Sequence, residues 1–252
     1  MGTILAIANQ KGGVGKTTTA INLAAGLAAL EKKVLLVDCD PQGNATRGVG
    51  ERAGKPHLYH ALTGEASLSD VVRRTGFPNL DLAPADRDLV GVEVEFVGNP
   101  GWEQRLKNAL ASVVDRYDFL LVDCPPSLGH LTVGALSAAD GVVVPMQCEY
   151  FALEGISELV ATVRRVQGGL NPKLKIAGIL MTMYDDRTNL SKDIVEEVRK
   201  HFPDKVFRSI VPRNVRLAEA PSFGKPIFQY DIKSRGAESY LALARELLGQ
   251  KA

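Results

Sequence analysis

The sequence predicts an α/β fold with a single doubly wound, mostly parallel sheet and helices on both faces. Three observations predict it: apolar runs suited to buried strands recur, helical patterns lie between many of them, and a glycine-rich turn joins the first strand to the first helix. Strands are expected at 3–9, 33–38, 79–83, 117–123, 140–146, 174–182 and 205–211. Helices are expected at 17–30, 104–115, 130–139, 152–167, 190–202 and 236–249, and residues 43–104 are otherwise expected to form short helices and loops.

Length and composition favour one domain over residues 1–252. The 252 residues suffice for a sizeable core, and 45% hydrophobic and 23% charged residues are ordinary globular values. No apolar run is long enough to span a bilayer. The first strand starts almost at once, so we expect neither a signal peptide nor an N-terminal helix-turn-helix domain. We also expect no C-terminal membrane helix.

Cysteine usage and charge distribution limit the cellular compartments and the binding partners that the sequence allows. Cys39, Cys124 and Cys148 form no C-x-x-C pair, so a disulfide framework or a zinc site of that kind is not expected, and a cytoplasmic protein is the simplest interpretation. Residues 1–150 carry 13 basic and 17 acidic side chains, whereas 151–252 carry 17 and 12. This asymmetry permits a basic face in the C-terminal part; an uneven, solvated surface is the alternative.

The stretch 9–19, Asn-Gln-Lys-Gly-Gly-Val-Gly-Lys-Thr-Thr-Thr, has the context of a phosphate-binding loop, between an apolar run and a helical pattern. Its glycines let successive N–H groups point at one anion, and the following helix adds its partial positive charge. Lys16 would reach the β- and γ-phosphates, and the Thr17 hydroxyl would ligate Mg²⁺. The chain is therefore expected to bind ATP or ADP with Mg²⁺; a purely structural turn is the alternative.

An extra lysine breaks the usual pattern of such loops. The pattern G-x-x-x-x-G-K-[ST] requires glycine where Gln10 stands, and Lys11, Gly12 and Gly13 follow instead. Many phosphoryl-transfer enzymes gain a further cation from outside the site. Lys11 fits that role if it reaches the phosphates of a second molecule, which implies an ATP-dependent dimer with two nucleotides at its interface.

Acidic residues follow two of the predicted strands. Asp38 and Asp40 end the strand 33–38 and are expected to contact Mg²⁺ through water and to position the attacking water; a turn capped by Asp40 is the alternative. Asp123 ends the strand 117–123 and would hold Mg²⁺ directly or through water. Beyond it, the flexible segment 127–129 could sense the γ-phosphate.

These motifs together resemble the ParA/MinD family of ATPases. Residues 11–18 look like its deviant Walker A motif, 38–44 like its switch I segment and 123–127 like its Walker B and switch II segment. Residues 147–155 and 211–222 resemble segments of the chromosomal ParA (Soj) branch. The resemblance covers essentially the whole chain.

The resemblance implies a nucleoside-triphosphatase fold of the phosphate-binding-loop type and a slow ATPase that forms an ATP-dependent sandwich homodimer. The dimer would bind DNA without sequence preference on the nucleoid in the cytoplasm. A ParB (Spo0J-like) partner would stimulate hydrolysis and release it.

The resemblance also implies roles for individual residues. Lys11 would be the cross-dimer lysine, and Lys16 and Asp40 would act in hydrolysis. Nucleotide contacts are expected from Lys11, Gly12, Gly13, Val14, Gly15, Lys16, Thr17 and Thr18, with Pro212, Arg213 and Asn214 beside the adenine. Thr17, Asp40 and Asp123 would hold Mg²⁺. Arg187 and Arg216 would bind DNA; the alternatives are a loop cap for Arg187 and a surface ion pair for Arg216.

Four other functions remain open at this point. Membrane positioning of the MinD type needs a basic amphipathic C-terminal helix, whereas residues 237–252 include acids and no basic cluster. An iron protein of the nitrogenase type needs two cysteines per subunit at one cluster, and only Cys124 has a suitable position. A small-molecule ligase of the dethiobiotin synthetase type and a partition-like ATPase with another cargo are the remaining alternatives.

Overall fold

The computed structural model describes residues 2–149 and 152–250, with side chains for these residues except 152–155. Within this part of the chain, one sheet has eight strands in the order β3-β4-β2-β5-β1-β6-β7-β8. The strands are β1 (Thr3–Ile7), β2 (Val34–Asp38), β3 (Arg73–Arg74), β4 (Leu80–Ala83), β5 (Phe119–Asp123), β6 (Gly141–Gln147), β7 (Lys175–Tyr184) and β8 (Val206–Pro212). Neighbouring strands are parallel except for the antiparallel pair β3–β4.

Helices connect these strands. They are α1 (Lys16–Ala29), α2 (Asn44–Gly48), α3 (Leu58–Thr63), α4 (Leu68–Val71), α5 (Gly91–Glu95), α6 (Arg105–Ala111), α7 (His130–Ala138), α8 (Ala152–Gly169), α9 (Asn189–His201), α10 (Val215–Glu219), α11 (Ile227–Tyr230) and α12 (Arg235–Leu247). Short 3₁₀ turns occupy Arg87–Val90, Trp102–Gln104, Val114–Arg116 and Ala220–Phe223.

The predicted fold class is confirmed, and every predicted strand and helix is present. Two details differ. The pair of residues in β3 was not predicted, because two residues carry no periodic signal. The helix expected at 104–115 ends at Ala111, where the Ser112 hydroxyl donates to the Ala109 carbonyl over 2.7 Å and competes with the helical pattern.

Alternate residues of each central strand point to opposite faces of the sheet, so the chain builds two cores. On β1, Ile4 and Ala6 join the core beneath α6 to α9, whereas Leu5 and Ile7 join the core beneath α1 and α12. Both faces are therefore covered, as a buried parallel sheet requires.

The last helix, α12, belongs to this second core. Tyr240 is fully buried and its hydroxyl lies 3.1 Å from that of Thr19 on α1. Leu243 and Ala244 are also buried there, so the apolar face of α12 is occupied by α1 and β8. Among the described residues, no helix combines the length and apolarity needed to cross a membrane.

Strand register brings the two acidic motifs together. The β2–β5 pairing aligns Asp38 with Asp123, and the β1–β5 pairing aligns Ile7 with Asp123. The loop that follows β1 therefore lies beside both carboxylates at the carboxyl edge of the sheet. Ligands of doubly wound folds bind at such an edge.

Candidate functional site

The loop between β1 and α1 is held by hydrogen bonds at its start, and at its end the backbone amides of α1 are uncapped. The Asn9 side chain donates to the Pro145 carbonyl over 2.8 Å and accepts from the Lys11 amide over 3.0 Å. Gly13 and Gly15 have φ of 74° and 88°, a left-handed conformation that favours glycine. Helix α1 then begins without a side-chain cap or an acid in its first turn, so its N-terminal amides remain available to an anion.

Lys16 lies inside this loop. It is only 7% exposed, and its ammonium donates to the Lys11 carbonyl over 3.0 Å. Burial lowers the pKa of Lys16, while the charges of Asp123, Cys124 and Asp40 partly offset that shift. A buried ammonium beside free helix amides is suited to contact phosphate groups.

Asp123 is the most unusual carboxylate of the described residues. It is fully buried, and neither carboxylate oxygen has a hydrogen-bond partner there. Burial, followed by the neighbouring Asp38, raises the pKa of Asp123 well above its ordinary range; Thr17 and Lys16 oppose the shift. Buried carboxylates without partners are rare, and a carboxylate beside a threonine hydroxyl offers the oxygen ligands that Mg²⁺ prefers. These residues therefore fit a magnesium ion.

Asp38 and Asp40 have different surroundings. Asp38 accepts from both the amide and the hydroxyl of Thr46 over 2.7 Å, and burial raises its pKa to about 6. Asp40 is 6% exposed and accepts from the Gln42 amide over 2.8 Å. The turn-capping contact considered as the alternative for Asp40 is thus present, although the same carboxylate is close enough to raise the pKa of Lys16.

Lys11 lies at the rim of the site. Its side chain is 38% exposed, and its ammonium is 2.8 Å from the Glu149 carboxylate. Sequence analysis did not single out Glu149 as a site residue, although it follows β6, the neighbour of β1, and the same signal identified Asp40 and Asp123. The two lysines of the loop therefore have opposite environments.

The segment expected beside the adenine follows β8. The Arg213 amide donates to the Tyr184 carbonyl at the end of β7 over 2.9 Å, and the Asn214 side chain caps α10 by accepting from the Arg216 amide over 2.8 Å. Pro212 ends β8, so this segment lies at the same edge of the sheet as the glycine loop. The Thr182 hydroxyl of β7 donates to the Val14 carbonyl over 2.9 Å and connects this side of the sheet with the loop.

Arg187 and Arg216 are exposed but hold acidic partners. Arg187 makes a bidentate contact with Asp185 at 2.9 and 2.7 Å, and these hydrogen bonds lower the pKa of Asp185 to about 2. Arg216 lies 3.1 Å from Glu219 and 3.5 Å from Asp231. The loop cap and the surface ion pair, which were the alternatives to DNA binding, are therefore both present.

A second acid missed by sequence analysis lies behind the switch II segment. Glu93 on α5 accepts from the backbone amides of His130 and Leu131 at 3.1 and 3.2 Å, which caps the N-terminus of α7. Its carboxylate is also 2.8 Å from the His130 ring. No short motif predicts this contact, because it joins residues 37 positions apart.

Comparisons with known proteins agree with this geometry. The family model described as "AAA domain" matches residues 2–176. The sporulation initiation inhibitor protein Soj of Bacillus subtilis is 56% identical over 249 residues, covering 98% of each chain. The chromosome partitioning protein ParA of Myxococcus xanthus is 55% identical over 250 residues, covering 98% of this chain and 88% of that protein.

The chain belongs to the ParA/MinD family, in its chromosomal ParA (Soj) branch. The resemblance inferred from the motifs is thereby confirmed, and this ParA-family chain is a member of a group of phosphate-binding-loop ATPases. Of the two segments typical of the branch, 211–222 lies within the described residues; residues 150 and 151 of the segment 147–155 lie outside them.

A solved structure of a protein with a different name has a similar fold. The cobyrinic acid a,c-diamide synthase of Mycobacterium smegmatis, with bound ADP and magnesium, is 39% identical, has a TM-score of 0.87 and covers 98% of this chain and 94% of that one. The same fold thus occurs in a protein whose name describes a synthase, so the fold alone does not assign the function.

Proposed function

We propose that this ParA-family chain is a chromosome-partitioning ATPase, with residues 1–252 acting as one domain that hydrolyses ATP to ADP and phosphate. The observation that carries the proposal is the difference in burial between the two lysines of the loop. Lys16 is buried beside the acids Asp123 and Asp40, whereas Lys11 is at the rim and half-exposed. The enclosed position of Lys16 suits a contact with the chain's own nucleotide, whereas Lys11, in an exposed ion pair with Glu149, could reach outward.

In this proposal the nucleotide phosphates bind the loop from Lys11 to Thr18. The amides of Gly12, Gly13 and Gly15 and the N-terminus of α1 surround the phosphate oxygens, Lys16 contacts them from within, and segment 212–214 contacts the adenine. Thr17, Asp40 and Asp123 would hold Mg²⁺, which would supply positive charge to neutralise the phosphates. Asp40, fixed by its contact with Gln42, positions the attacking water.

Dimerisation follows from Lys11. The Glu149 ion pair holds its ammonium at the rim, and an exposed pair of this kind contributes only about 0.2–1 kcal/mol. The phosphates of a second chain's ATP carry several negative charges and therefore compete well with one carboxylate. ATP then links two chains into a sandwich dimer, because each Lys11 contacts the other chain's nucleotide.

Non-specific DNA binding would use the surface around Arg187 and Arg216. Arg216 contacts Asp231 at 3.5 Å, and Asp186, the neighbour of Arg187, contacts Arg235 at 3.4 Å, so both arginines belong to segments that touch the stretch 231–235. The dimer presents this surface twice, which makes DNA binding depend on ATP. The acidic partners weaken the monomer's contact with phosphates and thereby favour release after hydrolysis.

The location of α12 and of the cysteines supports this choice over two alternatives. The apolar face of α12 is buried against the core, so it is not free to lie in a membrane surface as MinD-like positioning would need. Cys39, Cys124 and Cys148 are all buried, and burial raises the pKa of each thiol, which is unsuited to ligating an iron–sulfur cluster between chains.

The test is ATP turnover with DNA, with the N-terminal peptide of the cognate ParB-like protein, with both and with neither. We expect slow turnover alone and the largest increase with both. Lys16→Ala supplies the background rate. Equal rates in all four mixtures would contradict a partition ATPase and favour the ligase alternative, and an increase with vesicles instead of DNA would favour the MinD-like one.

A further inference from the structure

A histidine and two aspartates form a cluster behind switch I, outside the nucleotide site. His57 precedes α3, Asp86 caps the start of the 3₁₀ turn after β4, and Asp88 lies within that turn. The His57 Nε2 atom is 3.2 Å from Asp86 Oδ1 and 3.5 Å from Asp88 Oδ2. One potential ligand atom from each residue lies within 4.8 Å of the other two.

The histidine of this cluster is unusual. His57 is 0% exposed, and its Nε2 atom, which faces the two carboxylates, has no hydrogen-bond partner among the described residues. Leaving a buried ring nitrogen unpaired is unfavourable, because the nitrogen loses its hydrogen bonds to water and gains none in the protein. A buried imidazole aimed between two carboxylates indicates that a ligand completes the site.

We propose that His57, Asp86 and Asp88 bind a divalent transition-metal ion of the Zn²⁺ type. Zinc takes histidine nitrogen and carboxylate oxygen at roughly 2.0–2.1 Å with tetrahedral geometry, which sets its ligand atoms roughly 3.3 Å apart. The distances from His57 to the two carboxylates match that spacing. One nitrogen and two oxygens also favour such an ion over Mg²⁺ or Ca²⁺, which prefer oxygen alone.

The cluster is accessible and already held in place. Asp86 and Asp88 are 37% and 50% exposed, so an ion reaches them from solvent while His57 ligates from the interior. The Leu58 amide donates to the Pro84 carbonyl over 2.9 Å, which joins the two segments that carry the ligands. Little rearrangement is needed to bind the ion, and a water molecule can take the fourth position.

The ion would stabilise switch I. The Ala85 amide, next to Asp86, donates to the Thr46 hydroxyl over 3.1 Å, and Thr46 in turn donates to Asp38. An ion that ties Asp86 and Asp88 to His57 therefore strengthens the support beneath Asp38. This site uses no cysteine and lies apart from the magnesium ligands Thr17, Asp40 and Asp123.

The experiment titrates the untagged full chain with Zn²⁺ against a competing chromophoric chelator, with excess Mg²⁺ and ADP present to occupy the nucleotide site. We expect one Zn²⁺ per chain and a rise in melting temperature. Asp88→Asn, a change at a half-exposed residue, should weaken binding at least about 10-fold, since it removes one of three ligands. Glu197→Gln is the matched control, because Glu197 pairs with the exposed His201 at 3.4 Å elsewhere on the surface.

Spectroscopy locates the ion. The chain has four histidines, and free Zn²⁺ buffered at a level that saturates only the wild type should shift the ring resonances of His57 in its ¹H–¹⁵N spectra, with a much smaller shift in Asp88→Asn. Absence of stoichiometric binding would show that the cluster is an ion pair only and would overturn the proposal. Loss of binding in Glu197→Gln but not in Asp88→Asn would overturn it as well.

Discussion

The Lys11 ammonium lies 2.8 Å from the Glu149 carboxylate, so the loop lysine that breaks the usual phosphate-loop pattern is held at the rim by an acid 138 residues away. Both side chains are partly exposed, at 38% and 47%, and the pair is therefore easily displaced. The contact connects the loop after β1 with the end of the neighbouring strand β6. It offers a direct way to separate the role of Lys11 from that of its ion pair.

Replacing Lys11 by alanine should abolish ATP-dependent dimers while nucleotide affinity changes by no more than about 5-fold, because Lys16 still contacts the chain's own phosphates. Light scattering with ATP and a fluorescent-nucleotide titration measure the two quantities. Glu149→Gln breaks the same ion pair but keeps the lysine and should still dimerise. If both variants lose the dimer, the ion pair with Glu149 is needed for dimerisation, and the loss in Lys11→Ala does not identify a contact with a second nucleotide.

Lys16→Gln, in contrast, should lose productive nucleotide use.

Replacing Asp40 by alanine should trap ATP dimers on DNA and lower turnover on the order of 100-fold, since water positioning is lost. Asp40→Asn keeps an acceptor for the Gln42 amide and so preserves the turn. It should lose turnover too if the carboxylate acts chemically. Wild-type turnover in Asp40→Asn together with loss in Asp40→Ala would assign Asp40 to the turn alone. Stopped-flow DNA release and ATPase assays distinguish these outcomes.

Reversing the charge of Arg187 or Arg216 should weaken DNA binding of the ATP dimer by about 10-fold or more without preventing dimerisation, and should reduce the salt dependence of the affinity. Gel shifts at several salt concentrations measure this. Asp185→Asn is the matched control for Arg187, because it breaks the bidentate contact while the guanidinium remains. That control should bind DNA at least as well as the wild type. Weaker binding would indicate that DNA binding needs the loop conformation that Asp185 holds.

The buried carboxylates should make stability depend on pH in a defined direction. Because Asp38 has a folded pKa of about 6 and an ordinary value of 3.8, the folded chain retains a proton between these values that the unfolded chain has lost. The free energy of unfolding should therefore fall as pH rises through about 4 to 6, by on the order of 2–3 kcal/mol from this group, and remain lower above that window.

Asp38→Asn should flatten this slope, and urea unfolding at about pH 4, 5 and 6 would show it. The exposed Asp193→Asn is the matched control and should leave the slope unchanged. Mg²⁺-dependent ADP affinity should rise with pH, because Asp123, whose pKa is raised by burial, must lose its proton to face the ion. Asp123, whose pKa is raised in the same direction, should leave part of the slope in Asp38→Asn, whereas an unchanged slope would show that Asp38 makes no contribution.

Local pattern predicted most of the fold. The alternation in β1, where Ile4 and Leu5 enter different cores, is the two-residue period of a strand covered on both sides. Because parallel strands align their carboxyl ends, an acid after an apolar run could be assigned to the nucleotide edge, as Asp38 and Asp123 show. The two-residue strand β3 has too few residues for any period.

Contacts between distant residues were not predictable. The family resemblance implies DNA binding by Arg187 and Arg216, and only the structure shows that Asp185 and Glu219 already pair with them. The cap of Glu93 on α7 and the cluster around His57 likewise join segments with no shared sequence pattern. The roles of these residues in DNA binding and in metal binding stay predictions for the experiments above.

The sequence by itself determined that this chain has a covered parallel sheet, a phosphate-binding loop with an additional lysine and acids at the ends of two strands, since each of these is encoded by neighbouring residues. Tertiary structure alone decided that Asp123 is buried without a partner, that Lys16 is enclosed while Lys11 is held outward by Glu149, and that His57 faces two aspartates. The physical reason is that burial and pairing depend on strand order and register, which bring together side chains that lie far apart along the chain.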